Sequence, residues 1–255
     1  MRTVERTLAI LEAFLDQGEE ELGITTLVNL TGLNVSTIHR IASVLVKKGY
    51  LSQPHRRAKY SLGPKFLQFG GVVTSRMKIM DLAVPFLVQL NRTVNESVNL
   101  AIMDSGEAVY AHCIEPVGPG YHLLRIFTQV GARVPLHCTG VGKVFLAHMS
   151  PGECERYLNR GDFPKRTERT ITDRARLENE LSIVRRRGFG IDNEEMELGV
   201  RCIAVPLKDF KGDVVAAISI SGPSTRITHG KIRQLEPLLK DCASDISKAA
   251  GYRGR

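Results

Sequence analysis

Residues able to do chemistry fall into four groups. Two histidine–cysteine dipeptides, His112-Cys113 and His137-Cys138, have the residue types of thiol catalysis, and Cys202 adds a third thiol. Asp192, Glu194, Glu195 and Glu197 crowd one stretch and have the residue types of a general acid–base site. Thr139-Gly140-Val141-Gly142-Lys143 opens a helical pattern, where bare backbone N–H groups attract a carboxylate or phosphate. The fourth group is basic. From Leu22 to Met80 there is no aspartate or glutamate but nine lysines and arginines, the composition of a segment that approaches a polyanion without like-charge repulsion.

Spacing separates these possibilities. Neighbours on a strand point to opposite faces, so neither His-Cys dipeptide is a self-contained dyad, and no nucleophile signature surrounds either. The same thiols and histidines offer enough ligands for a metal sensor, yet none of them shows the usual zinc spacing. The glycine-rich stretch is not a nucleotide-hydrolysing loop: His137 stands where its first glycine belongs and Val144 where Ser or Thr belongs. Five cysteines, an odd number without a CxxC pair, argue against a disulfide framework and for a reducing cytoplasm. No apolar run approaches the roughly 18 residues of a membrane span. The N-terminus leads into an amphipathic helix rather than a signal peptide. No cofactor and no membrane partner is expected.

The basic stretch has elements to position it. Val4, Leu8, Leu11, Phe14 and Leu15 recur at helical spacing and predict a first helix over 3–17. Thr25 is the expected cap of a short second helix ending near Thr31. Gly32-Leu33-Asn34 makes a turn, with Asn34 or Ser36 available to cap a third helix over 35–48 that Gly49 stops. On that third helix Ile38, Ile41, Ala42 and Leu45 share one side. Ser36, Arg40, Ser43 and Lys47 share the other, flanked by Thr37 and His39. The second face is polar and acid-free, and suits a DNA major groove. Its first turns, with Ser36, Thr37, His39 and Arg40, are the expected base readers. Segments 50–53 and 59–62 alternate as a hairpin whose tip, Pro54-His55-Arg56-Arg57-Ala58, puts Arg56 and Arg57 beside phosphates or the minor groove.

Gly63-Pro64 restarts a helix that Gly70-Gly71 is expected to loosen before another helix over 78–94. The domains are therefore placed at 1–63 (winged helix-turn-helix), 64–78 (linker helix) and 79–255. In the last, strands are expected at 97–103, 108–114, 122–127, 190–193, 202–207 and 214–221. Helices are expected at 140–148, 151–158, 173–187 and 228–250. This order predicts an α+β domain with one antiparallel-rich sheet flanked by helices. On the last strand Val215, Ala217, Ser219 and Ser221 share a face, and two hydroxyls on an otherwise apolar face suit a small polar ligand.

The run LTGLNVSTIHRIASVLVKKGYL with the later YSLGPKFLQFG resembles the N-terminal domain of the IclR family of bacterial transcriptional regulators. VPLHCTGVGKVFLA and GFGIDNEEMELGVRCIAVPLKDFKGDVVAAISISGP are similar to its effector-binding domain, and the resemblance runs in order from about residue 3 to 250. Asn34 departs from the proline that many members have there. The resemblance implies a GAF/profilin-like C-terminal domain and homodimers or homotetramers. It also implies an effector site at Gly140, Val141, Asp192, Cys202, Ser219 and Ser221, with Leu123 and Ile126 as an apolar wall. The expected function is a cytoplasmic, ligand-responsive, sequence-specific regulator. Its partners are an inverted-repeat operator in double-stranded DNA and a small organic-acid or sugar-acid effector. A metal sensor on the same scaffold, or a thiol or carboxylate enzyme, is the alternative.

Overall fold

The computed structural model describes residues 2–17, 20–55, 58–74, 78–116 and 128–253. The chain divides into two compact units, Met1–Arg76 and Met77–Arg255.

The first unit opens with α1 (Arg2–Gln17), α2 (Ile24–Thr31) and α3 (Val35–Lys47). The apolar recurrence located α1 and part of its inner face. Phe14 is buried and Leu11 half-buried as expected, Val4, Leu8 and Leu15 are exposed, and Ile10 and Ala13 complete the burial. Thr25 does not cap α2. Gly23 holds that position without a side-chain bond, and Gly32, left-handed at φ +65°, closes the helix by donating its N–H to Val28 O. Asn34 caps α3, its Oδ1 accepting from Thr37 N at 2.9 Å. α3 buries Ile38, Ile41, Ala42 and Leu45, and ends one residue early at Lys47.

β1 (Leu51–Ser52) and β2 (Ser61–Leu62) pair antiparallel, a ladder shorter than expected. The pairing is supplemented by a bridge from Tyr60 to Leu22, so this hairpin is anchored by burying Leu51 and Tyr60 rather than by strand length. α4 (Lys65–Thr74) runs straight through Gly70-Gly71, contrary to the expected loosening: glycine weakens a helix by about 1 kcal/mol but does not forbid it. Tyr50 fixes its start, stacking on Phe69 (5.9 Å between centroids) and meeting Phe66 edge-on (5.7 Å).

The second unit begins with α5 (Lys78–Val94), followed by β3 (Ser97–Asp104), β4 (Glu107–Ile114), β5 (Arg133–Val134), α6 (Gly140–His148), α7 (Pro151–Leu158), α8 (Arg174–Arg187), β6 (Gly190–Asn193), β7 (Val200–Lys208), β8 (Val214–Pro223) and α9 (His229–Ala249). Among the described residues the strands form one sheet in the order β5-β4-β3-β8-β7-β6, antiparallel at every pairing. The strand expected at 122–127 lies outside the described residues, and β5 was not expected. Asp173 and Thr228 were expected inside helices but are their caps, accepting from Arg176 N and Lys231 N. Ser105-Gly106, both at positive φ, turns β3 into β4.

Alternation divides the sheet. Val98, Leu100, Ile203, Val205, Ile218 and Ile220 pack with Leu87 and Leu90 of α5 and Leu235 and Leu239 of α9. Ala101, Tyr110, Ala204 and Ala217 face α6 and α8. Small and polar residues on that second face let α6 settle close to the strands, and they line the candidate pocket.

Candidate functional site

In the first unit Ser36, Arg40, Ser43 and Lys47 are all exposed on one side of α3, opposite its buried face. Thr37 is half-buried, and its N–H is committed to Asn34. Ser36 Oγ lies 3.0 Å from Asn34 Oδ1. His39 is exposed, but its Nδ1 sits 3.3 Å from the Tyr60 hydroxyl, so the hairpin fixes the imidazole's direction. Arg40 borders a cleft of about 370 Å³ shared with Thr3, Thr7 and Val44. Arg56 and Arg57 lie outside the described residues.

In the second unit the strand register brings residues far apart in sequence into rows. Ser97 pairs Ser221, Ser221 pairs Cys202, and Cys202 pairs Asp192. One row along, Cys113 pairs Asn99, Asn99 pairs Ser219, and Ser219 pairs Ala204. Over these rows lies the first turn of α6. A Cβ on Gly140 would stand 3.1 Å from Cys202 Sγ and 3.3 Å from Ala204 Cβ. Thr139 caps the helix by accepting from Gly142 N (3.1 Å) while its hydroxyl donates to Pro135 O (2.7 Å). Between helix and sheet is a small cavity, about 40 Å³, lined by Asp192, Cys202 and Ser221 together with Tyr110, Thr139 and Met196. Gly140, Val141 and Ser219 are buried and are not among its lining residues. Leu123 and Ile126 lie outside the described residues.

Asp192 serves structure first: Oδ1 accepts from Glu195 N (2.7 Å) and Met196 N (3.3 Å), capping the turn after β6. Burial nevertheless raises its pKa from 3.8 to about 7, against the lowering effect of those N–H groups. Burial likewise pushes the Cys202 thiol up to about 12, reinforced by the Asp192 charge, and raises the Tyr110 phenol. Between pH 4 and 7 the folded chain keeps a proton on Asp192 that the unfolded chain releases. That contribution to stability is complete at low pH and is lost as pH rises through 7. Asp192→Asn keeps the Oδ1 acceptor and never ionises. Its melting temperature relative to wild type should therefore rise between pH 5 and pH 8 in calorimetric scans; a constant difference would mean that Asp192 does not titrate in this range.

The catalytic candidates come apart in the structure. Cys113 and Cys138 are held protonated, their pKa values raised to about 12 chiefly by burial. His137 Nε2 sits 3.2 Å from Pro164 O, and Cys138 Sγ makes a 3.9 Å contact to Met196 Sδ. Two of the four acids of the cluster are consumed in ion pairs, while Asp192 and Glu197 line the cavity. Glu194 binds Arg201 (2.7 Å) and Arg169 (3.0 Å), and Glu195 binds Lys143 (2.5 Å). Among the described residues no three His, Cys, Asp or Glu side chains form a group that could hold a metal. Lys143 is 1% exposed and also donates to Ile191 O at 2.8 Å, so it braces α6 against β6 rather than facing a phosphate. Tyr110 and Asn99 join the site without a sequence signal, because only strand register and the packing of α6 bring them there.

Comparison with known proteins accords with both halves. Residues 3–55 match the IclR helix-turn-helix domain, and residues 71–248 match the C-terminal domain of the bacterial transcriptional regulator IclR. The HTH-type transcriptional regulator KdgR of Escherichia coli K12 is 35% identical over 251 residues, covering 98% of this chain and 93% of that protein. XynR of the same organism, also an HTH-type transcriptional regulator, is 33% identical over 252 residues, covering 99% and 98%. The crystal structure of Thermotoga maritima IclR superposes with a TM-score of 0.82 at 31% identity, covering 99% of this chain and all of that one. No described helix is long and apolar enough to cross a membrane. The chain belongs to the IclR family of bacterial transcriptional regulators: it is a DNA-binding regulator with a C-terminal effector domain, not an enzyme.

Proposed function

We propose that the effector is a small organic acid or sugar acid bound between α6 and the Ser221–Cys202–Asp192 row. One observation carries this reading. Thr139, the cap of α6 and the residue before Gly140 and Val141, lines a cavity that no basic side chain lines among the described residues. Recognition of a carboxylate then falls to backbone N–H groups at the positive end of the helix dipole. Asp192, titrating near 7, can donate from its protonated form to the same anion. Ser219→Ala with Ser221→Ala should lower affinity for the effector ten-fold or more, since a hydrogen bond to a charged group contributes about 1.5–3 kcal/mol. Calorimetry of the two proteins with the strongest binder from a panel of carboxylates checks this, and equal affinities would move the site elsewhere.

The DNA end of the proposal is that protomers pair, as dimer or tetramer, and read an inverted repeat in the cytoplasm. Ser36, Thr37, His39, Arg40, Ser43 and Lys47 face the major groove, and Arg56 with Arg57 reach the backbone or minor groove. Effector binding changes DNA affinity by favouring one arrangement of the winged helices, transmitted through residues 64–78. Arg40→Ala should cost about 1–3 kcal/mol of specific binding and relax one position per half-site. Equal losses on operator and random DNA in a binding titration would assign Arg40 to phosphate.

A further inference from the structure

Two buried polar atoms of neighbouring strands in the second unit lack a hydrogen-bond partner among the described residues. Asn99, on β3, and Ser219, its register partner on β8, are both 0% exposed. Asn99 Nδ2 donates to Ser221 Oγ at 3.1 Å. Its Oδ1, and the neighbouring Ser219 Oγ, have no hydrogen-bond partner among the described residues. Beside them are Ala101, Ala204 and Ala217, which offer no donor or acceptor, and two thiols that are weak partners, Cys113 opposite Asn99 and Cys202 near Ser219. Buried polar atoms in folded chains are nearly always paired, so two orphans side by side call for an explanation. Their place supplies one. The Asn99–Ser219 row adjoins the Ser221–Cys202–Asp192 row that lines the cavity, on the same side of the sheet and beneath the first turn of α6.

We infer that Asn99 is a specificity-determining residue of the effector pocket, and that Asn99 Oδ1 and Ser219 Oγ together receive a hydroxyl of the effector. The inference rests on the effector site proposed above. A hydroxyl answers both orphans at once, donating to the amide oxygen and accepting from the serine. A methylene at the same place answers neither and leaves both unpaired in an apolar setting. An ammonium could bond both, but it would bring a charge out of water to two neutral groups that are themselves 0% exposed. The effector class is thereby narrowed from carboxylates in general to hydroxy acids: the carboxylate at the start of α6, a hydroxyl one strand row away at β3 and β8. A site built to bond a hydroxyl discriminates strongly against the analogue that lacks it.

The test uses the full-length chain and matched probes: lactate with propionate, 3-hydroxybutyrate with butyrate, and gluconate with hexanoate. Thermal shift selects the best pair and calorimetry measures it. The hydroxylated member should bind roughly ten-fold tighter or better to wild type. Asn99→Val should erase that preference by weakening the hydroxy acid while leaving its deoxy partner within about two-fold. Ser219→Ala with Ser221→Ala should weaken both members. A wild type that binds the deoxy acids as well as the hydroxy acids overturns the inference, and this needs no variant to fold. A preference retained in Asn99→Val, or in Asn99→Ser if circular dichroism shows the valine variant unfolded, overturns it too while the site reading stands. Unchanged binding in the double serine variant, or no binding from any probe, overturns the site reading and this inference together.

Discussion

Gly142→Ala should destabilise the second unit by about 3 kcal/mol or more, the upper range for forcing extra volume into a packed core. The added Cβ would lie 2.4 Å from Leu136 Cα and 2.5 Å from Leu136 O, and both are backbone-bound atoms that cannot rotate aside. Leu136 is itself buried, and Thr139 ties the same stretch to Pro135 O, so relief requires moving α6 away from the segment that caps it. Urea denaturation, following the loss of helical signal, reads the shift in midpoint. Gly152→Ala is the control. It sits exposed near the start of α7 with nothing within 4 Å of its Cβ position, and the variant should be neutral or up to about 1 kcal/mol more stable. If the two alanines behave alike, the close approach at Gly142 has no energetic weight.

The second large effect is expected at Lys143. Its ammonium is almost wholly withdrawn from water and bonds Glu195 Oε1 and Ile191 O, with Glu180 at 4.0 Å. Lys143→Met fills the space but leaves Glu195 buried without its cation, and breaking a buried pair from one side costs about 3–5 kcal/mol. Lys143→Met with Glu195→Gln removes both charges and keeps an acceptor for Asn193 N, which lies 3.4 Å from Glu195 Oε1. Most of the lost stability should return in the double variant. A double-mutant cycle by denaturant titration measures the coupling, and additive losses would show that the two charges do not depend on each other. Because Lys143 follows the turn that contributes Gly140 and Val141, and Glu195 follows Asp192, the pair also holds the two sides of the pocket in register. The single variant should therefore bind carboxylates more weakly even at temperatures where it remains folded.

Much of the chain was legible because the forces that decide it act within one turn of helix or one step of strand. Asn34 three residues before an unpaired N–H, glycines just past helix ends, and apolar residues at intervals of three and four placed α3, α6 and α7, and the end of α2, almost to the residue. The polar stripe of α3 could be read the same way, since a helix wheel depends on nothing outside the helix. Alternation along β8 likewise put Ser219 and Ser221 on one face. Where periodicity alone was used, as on α1, it located the helix but only two of the five expected inner residues, Leu11 and Phe14, because which apolar side chains are buried depends on what packs against them. The C-terminal site residues were reached through a family resemblance, not from spacing.

What only the tertiary structure decided was partnership across long stretches of chain. Lys143 and Glu195 are 52 residues apart, and Asn99 and Ser221 are 122 apart. Sequence offers no periodicity over such distances. Asn99 and Ser221 meet because β3 and β8 pair in one register, where a shift of a single residue would turn one of them to the opposite face; Lys143 and Glu195 meet because α6 packs over β6. The same packing left Asp192 in a setting that raises its pKa and consumed Glu194 and Glu195 in ion pairs. It also left Asn99 and Ser219 buried side by side with unmatched polar atoms. Local chemistry wrote the helices, most of the caps and the polar face of α3 into the sequence; the pocket exists only once strands distant along the chain are laid next to one another.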